Sequence, residues 1–543
     1  MPRILINEEN NTSAGTPGRY GNYSVLIAGY MGTPSADQAR WQQPDENGVY
    51  EFNSVQAFLD TIGDADIAKK DQGEVVEYHY GNRMAYHLLN LGYPVIYKVI
   101  ENVSDMDDEN FWAIFKDKAS YDFRFVSHGL LETCYDADAH KVLYDRLAAL
   151  EADVEKLDKI IADVNEANHI EADDEITVAL KELYWAGIQQ AINEGYFISD
   201  TGNPYGSGAG AGSGYDVVAA ALRPVDGNDA PAVATQKGYI AEHESTGVTI
   251  TTFNNINGWI AKLASYRKED TAVVPGRGDC VALIELDENC YTVTDSADRP
   301  ETLIITGINN MSSSIGEDGA YCALTVPSVY YQINNEKVKF PGAFHYLACF
   351  MSSVRSGFAE WYAAAGYTRG VSSYIIDHTS VKLGEIAINA LEPRYKVQDP
   401  IRVQPAFACN VIANFRGSYY LWGNRTAAGL GEGEANDLTA EHFLNIRQLC
   451  STIKKQLYVA CRRFTFDPNS DTLWINFVNA ITPTLDAMKA DQGIRDYQIV
   501  KEFTDKKATL KARIRIIPIE AVEDFDITVS LEDSFGGVSV TAE

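Results

Sequence analysis

The sequence predicts a multidomain α+β protein with an extended arm at each end. Three observations predict it. Short apolar runs alternate with helical patterns over residues 23–139, a heptad seam occupies 140–195, and helical patterns dominate after 345 before strands return near 511. The 543 residues leave room for roughly three or four domains. The expected division is an arm at 1–22, an α/β domain in two parts at 23–139 and 201–344, a helical insertion at 140–200, a second domain at 345–520 and an arm at 521–543.

In the first arm a short strand is expected at Arg3 to Ile6, carried by Ile4, Leu5 and Ile6, and the Asn/Ser/Gly/Pro-rich stretch after it cannot build a core. Tyr23 to Gly29 reads as a buried strand, Val55 to Ile62 and Asn82 to Leu91 as helices, and Pro94 to Ile100 as another strand. Leu143, Leu147, Leu150, Val154, Leu157, Ile161 and Val164 make the heptad seam, and a second helical pattern from Ile176 to Ile192 completes a hairpin. The Gly-rich stretch 201–214 is a linker, with neither the Gly-Lys-Ser/Thr of a phosphate loop nor the G-x-G-x-x-G spacing of a dinucleotide site. Strands are expected at Cys280–Leu286, Leu303–Thr306, Lys511–Ile517 and Ile527–Leu531, the last carried by Ile527, Val529 and Leu531. Helices are expected at His345–Gly357, His442–Arg463 and Asp471–Ala490.

Composition and motifs narrow the function. Lys and Arg total 45 against 76 Asp and Glu, a formal charge of −31, which argues against a general nucleic-acid binder because phosphate is repelled. No apolar run is long enough to cross a membrane, and the first residues do not read as a secretory signal, so synthesis in the cytosol is expected. The eight cysteines contain no C-x-x-C; they read as buried thiols, or as late disulfides if the protein leaves the cytosol. No H-E-x-x-H, EF-hand loop or G-x-S-x-G is present, so no catalytic residue, cofactor or metal is assigned. One electrostatic feature is exceptional. Arg447, Lys454, Lys455 and Arg462 fall on one arc of a helix whose neighbouring arc carries Ile446, Cys450, Ile453, Leu457 and Ala460. The stripe reads as a docking strip facing a tube or a neighbouring subunit, or as a set of internal ion-pair partners.

The segment from Phe340 to Gly370, with its Pro-Gly turn, helix, Trp361 and Gly366-x-x-x-Gly370, resembles contractile tail sheath proteins of tailed bacteriophages. Arg277-Gly-Asp279 opening a strand, Asn410 to Thr426 with Trp422, Gly423, Arg425 and Thr426, Asn445-Ile-Arg447 and Phe466-Asp-Pro-Asn469 with Trp474 are similar to that family in order and spacing over about 275–520. Ser24–Tyr30 and Phe123–Gly129 are similar too, whereas the hairpin and the Gly-rich loop match no family pattern.

The resemblance implies a structural protein, not an enzyme, that polymerises into a helical sheath of stacked rings around a tail tube. Residues 345–520 would be the inner assembly domain, with the earlier α/β domain outside. The arms would add strands to neighbouring subunits' sheets, and contraction would drive the tube through the host envelope for genome delivery. Tail tube, baseplate and tail terminator proteins are the implied partners, with no nucleic acid and no membrane insertion. The implied place is a virion tail assembled in the host cytoplasm. The sheath of a phage-tail-like bacteriocin or another contractile injection system is the alternative. An unrecognised enzyme using an acidic pair is the reading from a different class, and a turnover screen separates it.

Overall fold

The computed structural model describes residues 23–130, 249–266, 276–287, 300–371, 375–378, 409–428, 439–504 and 508–521, apart from short gaps within them and the single position 237. The expected arm strands of Ile4, Leu5, Ile6, Ile527, Val529 and Leu531, the hairpin at 140–195 and the Gly-rich stretch lie outside the described residues. In chain order the elements are β1 (Val25–Tyr30), β2 (Val49–Phe52), α1 (Val55–Thr61), β3 (Ala68–Asp71), β4 (Glu74–Tyr78), α2 (Tyr80–Asn90), β5 (Val95–Ile100), α3 (Glu109–Ala113), β6 (Phe125–Ser127), α4 (Ile250–Ala264), β7 (Val281–Ile284), α5 (Pro300–Ile315) and β8 (Cys322–Val326). They continue with β9 (Val329–Ile333), β10 (Glu336–Phe340), α6 (Gly342–Arg355), α7 (Gly366–Arg369), β11 (Ile375–His378), β12 (Cys409–Phe415), β13 (Ser418–Trp422), α8 (Leu444–Arg463), α9 (Asp471–Ala490), β14 (Ile494–Glu502) and β15 (Lys511–Pro518).

An eight-stranded sheet in the order β13-β12-β8-β7-β6-β1-β5-β2 is the centre of the molecule. Its six inner strands run parallel, and an antiparallel strand closes each side. Successive residues of a strand face opposite sides, so each inner strand feeds two cores. Leu26, Ala28, Val126, Ala282 and Ile284 pack with Phe253, Ile256 and Ile260 of α4 and Ile308 and Met311 of α5. Val25, Ile27, Phe125, Val281 and Leu283 pack with Phe58 of α1, Met84 and Leu88 of α2, and Phe344, Leu347 and Phe350 of α6. Burial on both faces explains why these strands are continuous apolar runs rather than alternating ones.

A smaller C-terminal lobe joins the end of α8, α9 and the hairpin β14–β15 around Trp361, Leu449, Ile453, Phe477, Ile481 and Leu485. Ser470 caps α9 by accepting from the Leu473 N–H.

The mixed α and β composition agrees with the sequence, and β1, α1, α2, β5, β7, α6, α8, α9 and β15 fall where expected. Three details differ. Leu303–Thr306 lies in helix α5, since a four-residue apolar run has no period of its own. Strand β14 was not expected; its charged outer positions mask the alternation. Strands β12 and β13, past residue 345, belong to the same sheet as residues 25–30, and the lobe core gathers Ala359 and Trp361 with residues from Leu449 onward.

Chain direction reverses beside β1, which has β5 on one side and β6 on the other. Doubly wound sheets bind ligands in the crevice at such a point. Here the chain fills it. Asn82, fully buried, accepts from the Tyr30 N–H at 2.8 Å and donates to the Tyr30 carbonyl at 2.7 Å. Gly81 lies so close that a Cβ there would sit 2.1 Å from the Ala28 carbonyl oxygen.

Candidate functional site

Arg277, Asp279, Arg447, Lys454 and Lys455, all singled out by the sequence, converge on a buried polar seam between the sheet and the first three turns of α8. Residues 444–449 and 451–455 of that helix are all buried, including Asn445, Arg447, Gln448, Ser451, Thr452, Lys454 and Lys455. A helix buried on every side needs a partner for each polar group, and the sheet's loops supply them.

This corrects the expectation of an outward basic stripe. Arg447 donates from Nε to the Ala320 carbonyl at 2.8 Å, and its guanidinium lies 4.0 Å from the centroid of the Tyr321 ring. Lys454 donates to the Gly278 carbonyl at 2.8 Å, while Lys455 bonds Asp122 and lies 3.9 Å from an Asp279 oxygen. Only Arg462 of the four is exposed, with its guanidinium over the Tyr458 ring. The arc of cations is answered by carbonyls and carboxylates of the same chain, because the sheet domain and the lobe grip opposite sides of one helix.

Arg277, Gly278 and Asp279 form the seam's central turn. Arg277 donates from Nε to Asp279 at 3.0 Å and from Nη1 to the carbonyls of Phe115 and Tyr121, with its guanidinium over Phe123. Gly278 has φ +71°, and a Cβ there would meet Tyr266 Cβ at 2.5 Å, so the turn admits only glycine. Burial works to raise the Asp279 pKa, but the charges of Arg277, Lys455 and Lys118 outweigh it and hold the carboxyl below its usual range.

A second network lies beside it. Arg124, fully buried, donates to the Gln448 side chain at 2.7 Å, the Thr452 hydroxyl at 2.8 Å and the Gln448 carbonyl at 2.8 Å. Its charge faces Glu360 at 3.6 Å, and the Glu360 carboxylate also accepts from Thr452 and Tyr23. Sequence reasoning missed Arg124, Glu360, Gln448 and Thr452, since no spacing links positions that only the fold brings together.

The Trp422–Thr426 stretch sets the start of α8. Asn410 accepts from the Arg425 N–H at 2.7 Å and donates to the Arg425 carbonyl at 2.9 Å, with Gly423 against its Cα. Arg425 stacks on Phe443, and the Thr426 hydroxyl donates to the Glu441 carbonyl. Asn424 and Asn445 bond each other across the first turn. Trp361 is buried in the lobe core; Gly366 has φ +80°, and the Gly370 carbonyl accepts from the Leu421 N–H at 2.7 Å. Trp422 is half-buried in an aromatic group with Tyr367 and Phe415.

Outside the seam, the lobe shows open surface. The hairpin β14–β15 has no third strand among the described residues, and Phe466 and Phe503 are 88% and 86% exposed. Cys280, Cys322, Cys349 and Cys409 are buried free thiols, and burial pushes Cys280 and Cys409 up to about 12. Cys134 and Cys290 lie outside the described residues. No helix of the described residues is long and apolar enough to cross a membrane, and no group of three metal-binding side chains occurs among them.

No protein-family model matches the chain, and no curated protein matches it in sequence. By structure it is similar to a chain of the anti-feeding prophage baseplate, at TM-score 0.49 and 11% identity, covering 98% of this chain and 99% of that one. It is also similar to a chain of the PVC sheath complex of an extracellular contractile injection system in the contracted state, at TM-score 0.44, 11% identity and 98% of each chain. The anti-feeding prophage helical sheath in the contracted state gives TM-score 0.46 and 11% identity, with 98% of this chain and 99% of that one covered.

Proposed function

We propose that this chain is the subunit of a contractile sheath, a helical homopolymer that surrounds a tube and drives it forward by contracting. The observation that carries the reading is the convergence of the sheath-like positions. Arg277, Asp279, Asn410, Gly423, Arg425, Thr426, Asn445 and Arg447 are spread over 170 residues of sequence (447 − 277), yet they build the seam and the start of its helix. A shared set of residues devoted to fixing one lobe on another suits a subunit that must move as a block. The filled crevice beside β1 and the buried, neutral thiols support a structural role rather than catalysis.

The hairpin β14–β15, two-stranded among the described residues, supports assembly through arms, since such a sheet offers main-chain hydrogen bonds to an added strand. Residues 1–22 and 522–543 supply those strands to neighbouring copies in this reading. Tail tube, baseplate and tail terminator proteins are the proposed partners. A bacteriophage tail is the proposed setting, with a phage-tail-like bacteriocin or another contractile injection system as the alternative; capsid genes beside the coding sequence favour the phage.

Electron microscopy of the purified full chain tests the proposal. Hollow tubes of regular helical repeat are expected, and deletion of residues 1–20 or 522–543 should leave folded monomer without tubes. A chain that stays monomeric at high concentration and with added tube protein would overturn it.

A further inference from the structure

We propose that Tyr23 latches the N-terminal segment to helix α8, so that displacing the root of that segment loosens the seam holding the C-terminal lobe. From Ser24 onward the chain is locked into the sheet: the Ser24 carbonyl accepts from the Arg124 N–H at 2.8 Å, and the Val25 N–H donates to Pro94. Tyr23 is the last residue before that lock, and residues 1–22 lead into it. Its hydroxyl donates to Glu360 Oε1 at 2.7 Å, and its ring meets Phe350 edge-on.

Glu360 is the shared element. Its other oxygen, Oε2, accepts from Thr452 of α8 at 2.9 Å and faces Arg124 at 3.6 Å. Arg124 in turn makes three hydrogen bonds to Gln448 and Thr452. One carboxylate therefore sits between the root of the N-terminal segment and the helix that carries the lobe. Glu360, Arg124 and Thr452 are buried, whereas Tyr23 is half-buried and is the point at which the network reaches the surface. Withdrawing the Tyr23 hydroxyl takes a donor from a carboxylate that water cannot easily re-solvate. The carboxylate then shifts, and with it the cation that fastens α8. The coupling is a property of the single chain. Its role in a polymer, reporting a neighbour's position to the lobe, rests on the sheath reading.

Hydrogen exchange of the full chain carrying Tyr23→Phe tests it, because this substitution keeps the ring and removes only the hydroxyl. Amides of residues 447–456 are expected to exchange roughly tenfold faster, the size of one lost charge-assisted bond, while those of α4 keep their rates. Unchanged rates at 447–456, or an equal rise in α4 that marks general destabilisation, would overturn the latch. Tubes play no part in the readout, so a chain that never polymerises would count against the sheath reading and leave this result standing.

Discussion

Asn424 and Asn445 hold each other in both directions. Asn424 Nδ2 donates to Asn445 Oδ1 at 2.7 Å, and the Asn445 N–H donates to Asn424 Oδ1 at 3.0 Å. The Leu444 N–H also donates to the Asn424 carbonyl at 3.0 Å. The first turn of a helix leaves N–H groups without intrahelical partners, and Phe443 at the cap makes no side-chain bond. A side chain 21 positions upstream does that work.

Asn424→Ala should therefore cost about 1–3 kcal/mol, because it leaves buried partners unsatisfied. Urea unfolding monitored by circular dichroism measures it. The double variant with Asn445→Ala should cost clearly less than the sum of the two singles; strict additivity would show that the pair does not act together.

Gly278→Ala should destabilise more than Gly417→Ala. Both glycines have positive φ, +71° and +87°, but a methyl at 278 strikes Tyr266 while one at 417 meets open space. The second substitution isolates backbone strain, about 1 kcal/mol, and the first adds the clash. Equal melting temperatures would mean that Tyr266 moves aside freely.

Charge reversal separates the seam from the surface. Lys455→Glu places a third carboxylate beside Asp122 and Asp279, and breaking a buried pair costs about 3–5 kcal/mol. Arg462→Glu changes an exposed position and should stay within about 0.5 kcal/mol. Loss of soluble expression for the first variant and normal yield for the second is expected. Equal tolerance would return the stripe to the surface.

Two buried histidines predict acid sensitivity. Burial lowers His128 to about 4, against an opposing hydrogen bond with Asn257, and lowers His345 to about 3. Both are below the unfolded value of about 6.5, so the unfolded chain binds more protons between these limits and stability falls as pH drops. The loss begins near pH 6.5, reaches about 2 kcal/mol per histidine at pH 5, and ends for each once pH falls below its folded value. Stability curves from pH 8 to 4.5 check this. His345→Gln should flatten the profile, and an unaltered slope would refute the assignment.

The sequence made the apolar layer of the fold legible, since strands β1, β5 and β7 and helices α1, α2, α6, α8 and α9 each carry their own period or apolar run. It could not reveal which strands lie together, because β6 and β7 are separated by residues 128–280. The basic arc on α8 was legible as an arc, but not its direction. A cation facing Ala320 or Gly278 has the same spacing as one facing water, and only the partner loops decide. Arg277 and Asp279 were found through resemblance alone; Arg124 and Glu360 lie inside resembling segments, but no spacing paired them with each other or with α8.

Strands β6 and β7 are parallel neighbours, with Ser127 opposite Leu283, yet residues 128–280, α4 among them, separate the two in sequence. The two anchor points are fixed by the sheet, whatever sequence runs between them. Closing a longer connection between fixed ends costs little extra entropy, so the register of β6 on β7 does not depend on how long the connection is. A change of chain length between β6 and α4 leaves the paired positions Phe125–Val281, Val126–Ala282 and Ser127–Leu283 where they are.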